Sequence, residues 1–302
     1  MKLTILSYGG GQNSTTLLYK YVLDKEFRKK YAPDHFIVIM SDTGDEHPHT
    51  YKHVKFIQKL CAENAVSFVL LTNNYGYHPQ SWQTLRFYYK TKSTIGSKCH
   101  NKICTDKLKL QPIYSYMEDW IEKEYGFKTK KKKGFIEFAQ HYGKIRMLIG
   151  ITKDEEKRIN KSVRPKWHEK SIKMVYPLIA MGMDRMDCQN YMSSTGLPVP
   201  YPSNCMLCPF ISEIELLWLY RFHRDDYEEW ETLERNKIKR CALKNDLTKT
   251  LTLKGKIVSN MGVWGKRLLP QVLEETIKTH GHLSDEELNK YKFSHNCVQS
   301  RY

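Results

Sequence analysis

The sequence predicts an α/β protein with a Rossmann-like parallel sheet that is covered by helices on both faces. Two observations predict this fold class. Apolar, β-rich runs alternate with helical patterns through the first two-thirds of the 302 residues. The runs are continuously apolar, which is typical of strands buried on both faces of a parallel sheet. Ligands of such sheets bind at the carboxyl ends of the strands, near the point where the strand order reverses.

Five strands and four helices are predicted in this part of the chain. The strands cover residues 3–7, 35–41, 67–72, 145–151 and 173–178. The helices cover residues 13–31, 48–65, 106–125 and 153–161. His47, His49 and His53 fall at the start of the second helix, where we expect them to be exposed. Thr152-x-x-Glu155 has the spacing of a capping box at the start of the fourth.

The pattern changes near residue 212, after which only helices are predicted. Ser212-x-x-Glu215 is a capping-box signature that opens a helix over residues 213–221. Further helices are predicted near residues 268–280 and 284–291. We therefore expect residues 1–211 to form a nucleotide-binding domain that also carries a cysteine site. Residues 212–302 are expected to form a helical C-terminal extension of that domain.

Composition limits the classes of partner. Apolar residues make up 40% of the chain and aromatic residues 12%, which indicates a folded protein rather than a disordered one. The formal net charge of +16 favours a polyanionic partner such as nucleic acid or a nucleotide. No apolar run approaches the ~20 residues of a membrane helix, so no membrane partner is predicted. The first glycines follow after only eight residues, so we expect no secretory h-region and predict a cytoplasmic location.

Cytosolic cysteines are usually reduced, so the eight cysteines do not predict a disulfide framework. Cys61 and Cys188 fall in helical patterns and are expected to be small core residues. Cys241 lies in a basic stretch, and Cys297 lies close to the C-terminus. The other four form two closely spaced pairs far apart in the sequence.

These pairs, Cys99-x4-Cys104 and Cys205-x2-Cys208, have the arrangement of a four-thiolate metal site. Pro209 follows the last cysteine, and a Cys-Pro step also recurs at iron–sulfur clusters. The spacing alone accepts either Zn²⁺ or a [4Fe–4S] cluster, because both bind four thiolates.

The segment Ser7-Tyr-Gly9-Gly10-Gly11-Gln-Asn13-Ser14 follows the first predicted strand and opens the first helix. Its glycines allow a tight turn and a close approach of the backbone to an anion. Amides at the start of the helix then point at phosphate oxygens, and the helix dipole favours their negative charge. The segment has neither the Gly-Lys-Ser/Thr of a Walker A loop nor dinucleotide G-x-G-x-x-G spacing.

This segment resembles the PP-loop of the adenine-nucleotide α-hydrolase superfamily, and most of all its phosphoadenosine-phosphosulfate (PAPS) reductase-like branch. Gln12 stands where that family often has lysine, and Asn13 where it often has aspartate. Ile39-Met-Ser-Asp42-Thr43-Gly44-Asp-Glu-His-Pro48 resembles the family segment that cradles the adenosine. Ile149-Gly150-Ile-Thr152-Lys-Asp-Glu155-Glu-Lys-Arg158 resembles a third family segment.

The cysteine segments fit the same resemblance. Cys99 to Pro112 is similar to the family's Cys…Leu-Lys-x-x-Pro motif, and residues 176–209 are similar to its second half, up to the second cysteine pair. The resemblance covers roughly residues 1–210, with the motifs in the family's order. It favours a [4Fe–4S] cluster at Cys99, Cys104, Cys205 and Cys208, with Zn²⁺ as the rival.

The resemblance also implies roles for individual residues. The residues expected to act in catalysis are Ser14, Asp42 and Arg158. The residues expected to bind ATP are Ser7, Gly9, Gly10, Gly11, Asn13, Ser14, Asp42, Thr43, Gly44, Gly150, Glu155 and Arg158.

The function implied by the resemblance is that of an ATP pyrophosphatase and sulfurtransferase, closest to the C-component family of DNA phosphorothioation systems. ATP would be cleaved between its α- and β-phosphates with Mg²⁺ present, an oxygen of the nucleic acid would be adenylylated, and sulfur would displace AMP. DNA is favoured over RNA as the substrate. The expected partners are a cysteine desulfurase as sulfur donor and other components of a modification system.

Two alternatives remain open at the level of sequence. The first is a PAPS or adenylyl-sulfate reductase with Cys297 as a nucleophile on the C-terminal tail. The family's reductase tail, Glu-Cys-Gly-Leu-His, is however replaced here by His295-Asn-Cys297-Val-Gln. The second is a non-catalytic, zinc-containing nucleic-acid-binding module, which the departures at Gln12 and Asn13 support.

Overall fold

The computed structural model describes residues 2–99, 102–127, 132–159, 164–244, 251–253, 256–258 and 262–294. Cys297 and the first four residues of the lysine-rich segment 128–133 lie outside this part of the chain. Among the described helices, none combines the length and hydrophobicity that crossing a bilayer requires.

A five-stranded sheet forms the centre of the molecule. Its strands are β1 (Leu3–Ser7), β2 (His35–Ser41), β3 (Ser67–Leu71), β4 (Ile145–Ile149) and β5 (Ile172–Val175). They lie in the order β3-β2-β1-β4-β5, and every neighbouring pair is parallel. The chain runs outwards from β1 in both directions, so the strand order reverses between β1 and β4. The predicted fold class is confirmed.

Helices connect and extend the sheet. They are α1 (Gln12–Leu23), α2 (Lys25–Tyr31), α3 (Pro48–Glu63), α4 (Leu85–Lys92), α5 (Gln111–Tyr125), α6 (Lys133–Tyr142), α7 (Lys166–Ser171), α8 (Pro177–Ala180), α9 (Arg185–Ser194), α10 (Glu213–Phe222), α11 (Arg224–Lys244), α12 (Leu269–His280) and α13 (Asp285–Ser294). The single helix predicted over residues 13–31 is two helices. The Asp24 carboxylate accepts hydrogen bonds from the amides of Glu26 and Phe27 and so caps a new helix.

The helices cover both faces of the sheet because side chains alternate along each strand. Leu6 and Val38 belong to a core shared with α1, α2, α3 and α9. Ile5 and Ile37 belong to a core on the other face, shared with α5 and α6. Cys61 and Cys188 are fully buried in the first of these cores, as predicted.

A third core joins the C-terminal helices to the cysteine segments. It contains Trp82, Leu108 and Leu207 together with side chains from α10, α11, α12 and α13. The capping box at Ser212 and Glu215 is confirmed. The prediction that only helices follow residue 212 was wrong, because Leu251–Leu253 (β6) and Lys256–Val258 (β7) pair as an antiparallel hairpin. The division of the chain at residue 211 stays a prediction.

Two helices near the sheet edge differ in form from the prediction. The segment Thr105–Leu110 is a π-helix that leads into α5, and such segments are frequent at functional sites. Lys153–Arg158 is a 3-10 helix. The first follows directly on Cys104, the second contains Glu155 and Arg158, and both contribute side chains to the cavity described below.

Candidate functional site

One cavity lies at the carboxyl ends of β1, β2 and β4. The glycine loop forms one side, and the cysteine segments form the other. Its empty volume is about 1080 Å³ when the open solvent at its mouth is included. The cavity lies where ligands of doubly wound sheets are expected.

Most of the predicted ATP-binding residues line this cavity. They are Ser7, Gly9, Gly11, Asn13, Ser14, Thr43, Gly150 and Arg158. The remaining four, Gly10, Asp42, Gly44 and Glu155, do not contribute to the lining among the described residues, and each has a supporting role.

The glycine loop is held by short-range hydrogen bonds. Gly11 is the N-cap residue of α1, and glycine has no side chain to cap the first-turn amides. Ser14 Oγ accepts a bond from the Gly9 amide at 3.2 Å and donates one to the Gly11 carbonyl at 3.2 Å. Gly10 has φ of +73°, and a Cβ there would lie 2.8 Å from Thr50 Cγ2. The loop therefore presents backbone amides to the cavity in a fixed shape.

Gln12 anchors the loop to distant parts of the chain. Its side-chain Nε2 donates to the carbonyls of Pro200, at 3.0 Å, and Phe293, at 3.3 Å. Its Oε1 accepts from Gln189 Nε2 of α9 at 3.0 Å. The neutral amide at this position is thus used to fasten the loop to two helices.

Glu155 links the glycine loop to β4. Its buried carboxylate accepts from Asn13 Nδ2 at 2.8 Å and from Thr152 Oγ1 at 3.2 Å, both through Oε2. Gly150 is required beside it, because a Cβ there would lie 2.8 Å from the Ser14 amide nitrogen. The predicted capping box is wrong: Thr152 donates its hydroxyl to Glu155 instead of capping the backbone.

Two arginines meet at the other oxygen of Glu155. Arg158 Nη1 lies 2.6 Å from Glu155 Oε1, and Arg185 Nη2 lies 3.5 Å from it. Both arginines line the cavity. Sequence reasoning missed Arg185. The Asp184-x-x-Asp187 capping box of α9 predicts where this helix begins, but no local pattern shows that its first side chain reaches the glycine loop.

The loop after β2 is only partly in the cavity. Thr43 lines it, whereas the Asp42 carboxylate accepts bonds from the Tyr51 hydroxyl and the Gly44 amide, both at 2.9 Å. Burial raises the pKa of Asp42. Gly44 has φ of +67°, and a Cβ there would lie 2.4 Å from Thr84 Cγ2. Both residues shape the turn that presents Thr43.

This loop is joined to the second cysteine segment. Glu46 and Cys205 form an antiparallel bridge, and the Met206 amide donates to the Asp45 carbonyl at 2.7 Å. Thr43 Oγ1 lies 3.4 Å from Cys205 Sγ and 3.1 Å from the buried carboxylate of Glu46. The two motifs, more than 150 residues apart in the sequence, therefore form one wall.

Three of the four predicted cysteine ligands line the cavity: Cys104, Cys205 and Cys208. Cys99 is exposed and does not line it. Burial raises the pKa values of Cys104 and Cys205, which favours their neutral thiols until a cation is present. Within the described residues, no three His, Cys, Asp or Glu side chains converge closely enough to hold a metal ion.

The thiol donors nevertheless have the chemistry that a metal or iron–sulfur group requires. They come from two separate segments and face a single cavity. The four-cysteine site stays a prediction.

The cavity wall is cationic. Four basic side chains line it, namely Lys102, Lys109, Arg158 and Arg185. None of the described lining residues is an aspartate or a glutamate. The π-helix after Cys104 carries Lys109, and Lys109 Nζ also lies 3.4 Å from Glu46 Oε1. This arrangement favours an anionic ligand.

The expectation that His47, His49 and His53 are exposed was wrong. His47 is 2% and His53 is 7% exposed, because Trp218 of α10 packs against the His47 ring and His53 contacts Thr15 of α1. The His47 ring stacks on His49 with 5.0 Å between centroids, and it meets Trp218 edge-on at 5.4 Å. Burial lowers the pKa of His49 and that of His53 to about 4. These histidines are neutral packing residues behind the cavity wall.

No protein-family model matches the chain, and no curated protein matches it. Among solved structures, the chain is similar to a U34-tRNA thiolase, NcsA, from Methanococcus maripaludis, with its [4Fe–4S] cluster. The similarity covers 88% of this chain and 84% of the thiolase, with 14% sequence identity and a TM-score of 0.37.

Proposed function

We propose that this protein is a PP-loop ATP pyrophosphatase that activates an oxygen of nucleic acid for replacement by sulfur. The observation that carries the proposal is that a single cavity contains both the glycine loop and three cysteine thiols. An activating enzyme that handles sulfur needs these two elements side by side. A protein that only binds a nucleotide, or only holds a structural metal, does not require the glycine loop and the thiols to share a cavity.

The glycine loop and Arg158 would bind the ATP phosphates. The amides of residues 12–14 lie in the first turn of α1, where the helix dipole favours anions. The planar guanidinium of Arg158 matches two phosphate oxygens. Mg²⁺ would enter with ATP and reduce its charge. Thr43 lies across the cavity, at the wall expected to hold the nucleoside.

The reaction is a displacement at the α-phosphorus. An oxygen of the acceptor attacks, the bond to the β-phosphate breaks, and pyrophosphate leaves with the electron pair. Sulfide-level sulfur (HS⁻) then attacks the acceptor atom that carries the adenylyl group. The bond from that atom to sulfur forms, its bond to the bridging oxygen breaks, and AMP leaves with that oxygen and the electron pair. The cationic wall stabilises the negative charge of the leaving groups.

Cys104, Cys205 and Cys208 are the residues that would hold a metal group on this wall, and Cys99 is the proposed fourth ligand. When bound, a [4Fe–4S] cluster would carry the sulfur that is transferred. Thr43 and Glu46 fix the position of Cys205 through contacts of 3.4 Å and 3.6 Å to its Sγ.

The acceptor is proposed to be nucleic acid because the chain carries a formal net charge of +16. DNA is the first candidate and RNA the second. A cysteine desulfurase is the proposed sulfur donor, and a cytoplasmic location follows from this chemistry. The reductase alternative depends on Cys297, which lies outside the described residues.

The test is anaerobic purification with iron and zinc analysis, followed by incubation with Mg²⁺-ATP. We expect absorption near ~400 nm, about four iron atoms per chain, and pyrophosphate release that increases when DNA or RNA is added. Comparison of the two polymers identifies the acceptor. Zinc without any nucleotide turnover would favour the binding module, and sulfite release from adenylyl-sulfate would favour a reductase.

A further inference from the structure

Two arginines from separate elements meet at one buried glutamate beside the glycine loop. We propose that Arg185 is a second phosphate-binding residue of the cavity, and that Glu155 positions Arg185, Arg158 and Asn13 as one unit. The inference rests on the proposed function for the identity of its ligand, a nucleoside polyphosphate. Its claim about anion binding can be tested without ATP.

Glu155 uses both oxygens of its carboxylate. Oε2 accepts from Asn13 Nδ2 at 2.8 Å, and Oε1 accepts from Arg158 Nη1 at 2.6 Å. Arg185 Nη2 lies 3.5 Å from the same Oε1. The Glu155 side chain is only 6% exposed. A carboxylate fixed in this way sets the distance between the glycine loop and both guanidinium groups.

The orientation of α9 supports the role of Arg185. Arg185 is the first residue of the helix, and the reciprocal bonds between Asp184 and Asp187 fix that end. Gln189 lies four residues later, on the same face of the helix, and it donates to Gln12 Oε1. The face of α9 that carries Arg185 is therefore the face that contacts the glycine loop.

The electrostatics favour an anion at this position. The Arg185 side chain is 13% exposed and lines the cavity. Burial lowers its pKa, whereas Glu155 and Asp154 oppose that shift. A desolvated guanidinium gains from a further anionic partner, and its planar fork of donors matches phosphate oxygens. The ligand would therefore carry at least two phosphates, one on the loop amides and one on the arginine pair.

The experiment measures equilibrium binding of ATP, inorganic pyrophosphate and adenosine to the full chain. We expect Arg185→Gln to weaken ATP and pyrophosphate binding at least 10-fold while adenosine binding is unchanged. Arg146→Gln is the matched control: Arg146 lies on β4, at the opposite end of the strand, and donates to the carbonyls of Lys30 and Tyr31. This control should bind all three ligands like the wild type.

The positioning role of Glu155 is tested by a double-mutant cycle. If Glu155 acts through the arginine, Arg185→Gln should lose at least 5-fold less pyrophosphate affinity in the Glu155→Gln background than in the wild type. If Glu155 has a purely structural role, Arg185→Gln should weaken pyrophosphate binding by the same factor in both backgrounds. Such additive losses would overturn the positioning role.

The outcomes separate this inference from the proposed function. If the Arg185→Gln variant binds pyrophosphate as tightly as the wild type does, the proposed role of Arg185 is wrong. The ATP pyrophosphatase proposal then stays intact. If the wild type binds pyrophosphate through Arg185 but does not bind ATP, the inference stands and the proposed function fails. If the wild type binds neither pyrophosphate nor ATP, both the inference and the proposed function are wrong.

Discussion

Lys292 Nζ lies 2.8 Å from Glu215 Oε1, and both side chains are almost fully buried. Asn204, which lines the cavity, accepts a second bond from the same ammonium at 2.9 Å. A buried charge is stable only while it is paired. The pair therefore joins the last described helix, α13, to α10 and to the segment that leads into the second cysteine pair.

Removal of Lys292 should destabilise the protein strongly. Lys292→Ala leaves the Glu215 carboxylate buried beside an unfilled space, and we expect a loss of about 3–5 kcal/mol in the free energy of unfolding. Urea unfolding followed by circular dichroism measures it. Lys290→Ala, at an exposed position of the same helix, should change stability by less than about 0.5 kcal/mol. Equal midpoints for the two variants would contradict the importance of the pair.

Two glycines of the site should respond differently to alanine. A Cβ at Gly9 would meet only Ser203 Oγ, at 3.8 Å, whereas one at Gly150 would meet the Ser14 nitrogen at 2.8 Å. We expect Gly9→Ala to fold normally but to bind ATP at least 10-fold more weakly, because the methyl group occupies the space of the phosphate. Gly150→Ala should lose both stability and binding. Isothermal titration measures ATP binding, and thermal unfolding measures stability. Unchanged ATP affinity in Gly9→Ala would show that the phosphates do not bind at this loop.

Stability should fall below pH 6.5. His53 accepts or donates a hydrogen bond with Thr15 Oγ1 at 3.1 Å, and burial lowers its pKa to about 4. The unfolded chain therefore binds more protons between pH 6.5 and 4, so the stabilisation is present above pH 6.5 and is lost as the pH falls.

For one such histidine, the loss between pH 7 and pH 5 is about 2 kcal/mol. His53→Gln should reduce the pH dependence of the unfolding free energy by about this amount. His282→Gln, at an exposed position, should leave the dependence as in the wild type. If the His53 variant shows the wild-type slope, the imidazole takes up a proton as readily in the folded protein as in the unfolded chain.

Metal content should depend on the cysteines that line the cavity. We expect Cys104→Ser and Cys205→Ser to lose most of the bound iron or zinc after anaerobic purification, because each removes a thiolate from the wall. Cys61→Ala, in a fully buried core, is the control and should retain the metal. Full retention in the Cys205→Ser variant would exclude this wall as the metal site. Loss of metal in Cys99→Ser would show that its exposed side chain turns inward when the group binds.

The sequence predicts the sheet well, because the signals are local. The runs 3–7 and 35–41 match β1 and β2 to the residue, since each is rich in apolar and β-branched residues and ends at a serine. The prediction for β4 extends two residues too far. The strand ends before Gly150, which lies close to Ser14, and a contact so distant in the sequence leaves no local pattern. The glycine loop was found for the same local reason as the strands.

The polar residues of the site were harder to predict. Arg185 reaches the cavity, and His47 is buried, only because α9 and α10 pack where they do. A charged side chain such as Lys292 gives no local sign that it will be buried against Glu215. Burial of polar groups is decided by partners that are distant in the sequence, and periodicity contains no information about those partners.

The hydrogen bond from Gln12 to the Phe293 carbonyl joins residues that are 281 positions apart. During translation, the glycine loop leaves the ribosome long before the residue that completes its support has been synthesised. The glycine loop gains this contact only after residue 293 has been synthesised. A chain that terminates before residue 293 would therefore lack this support of the glycine loop.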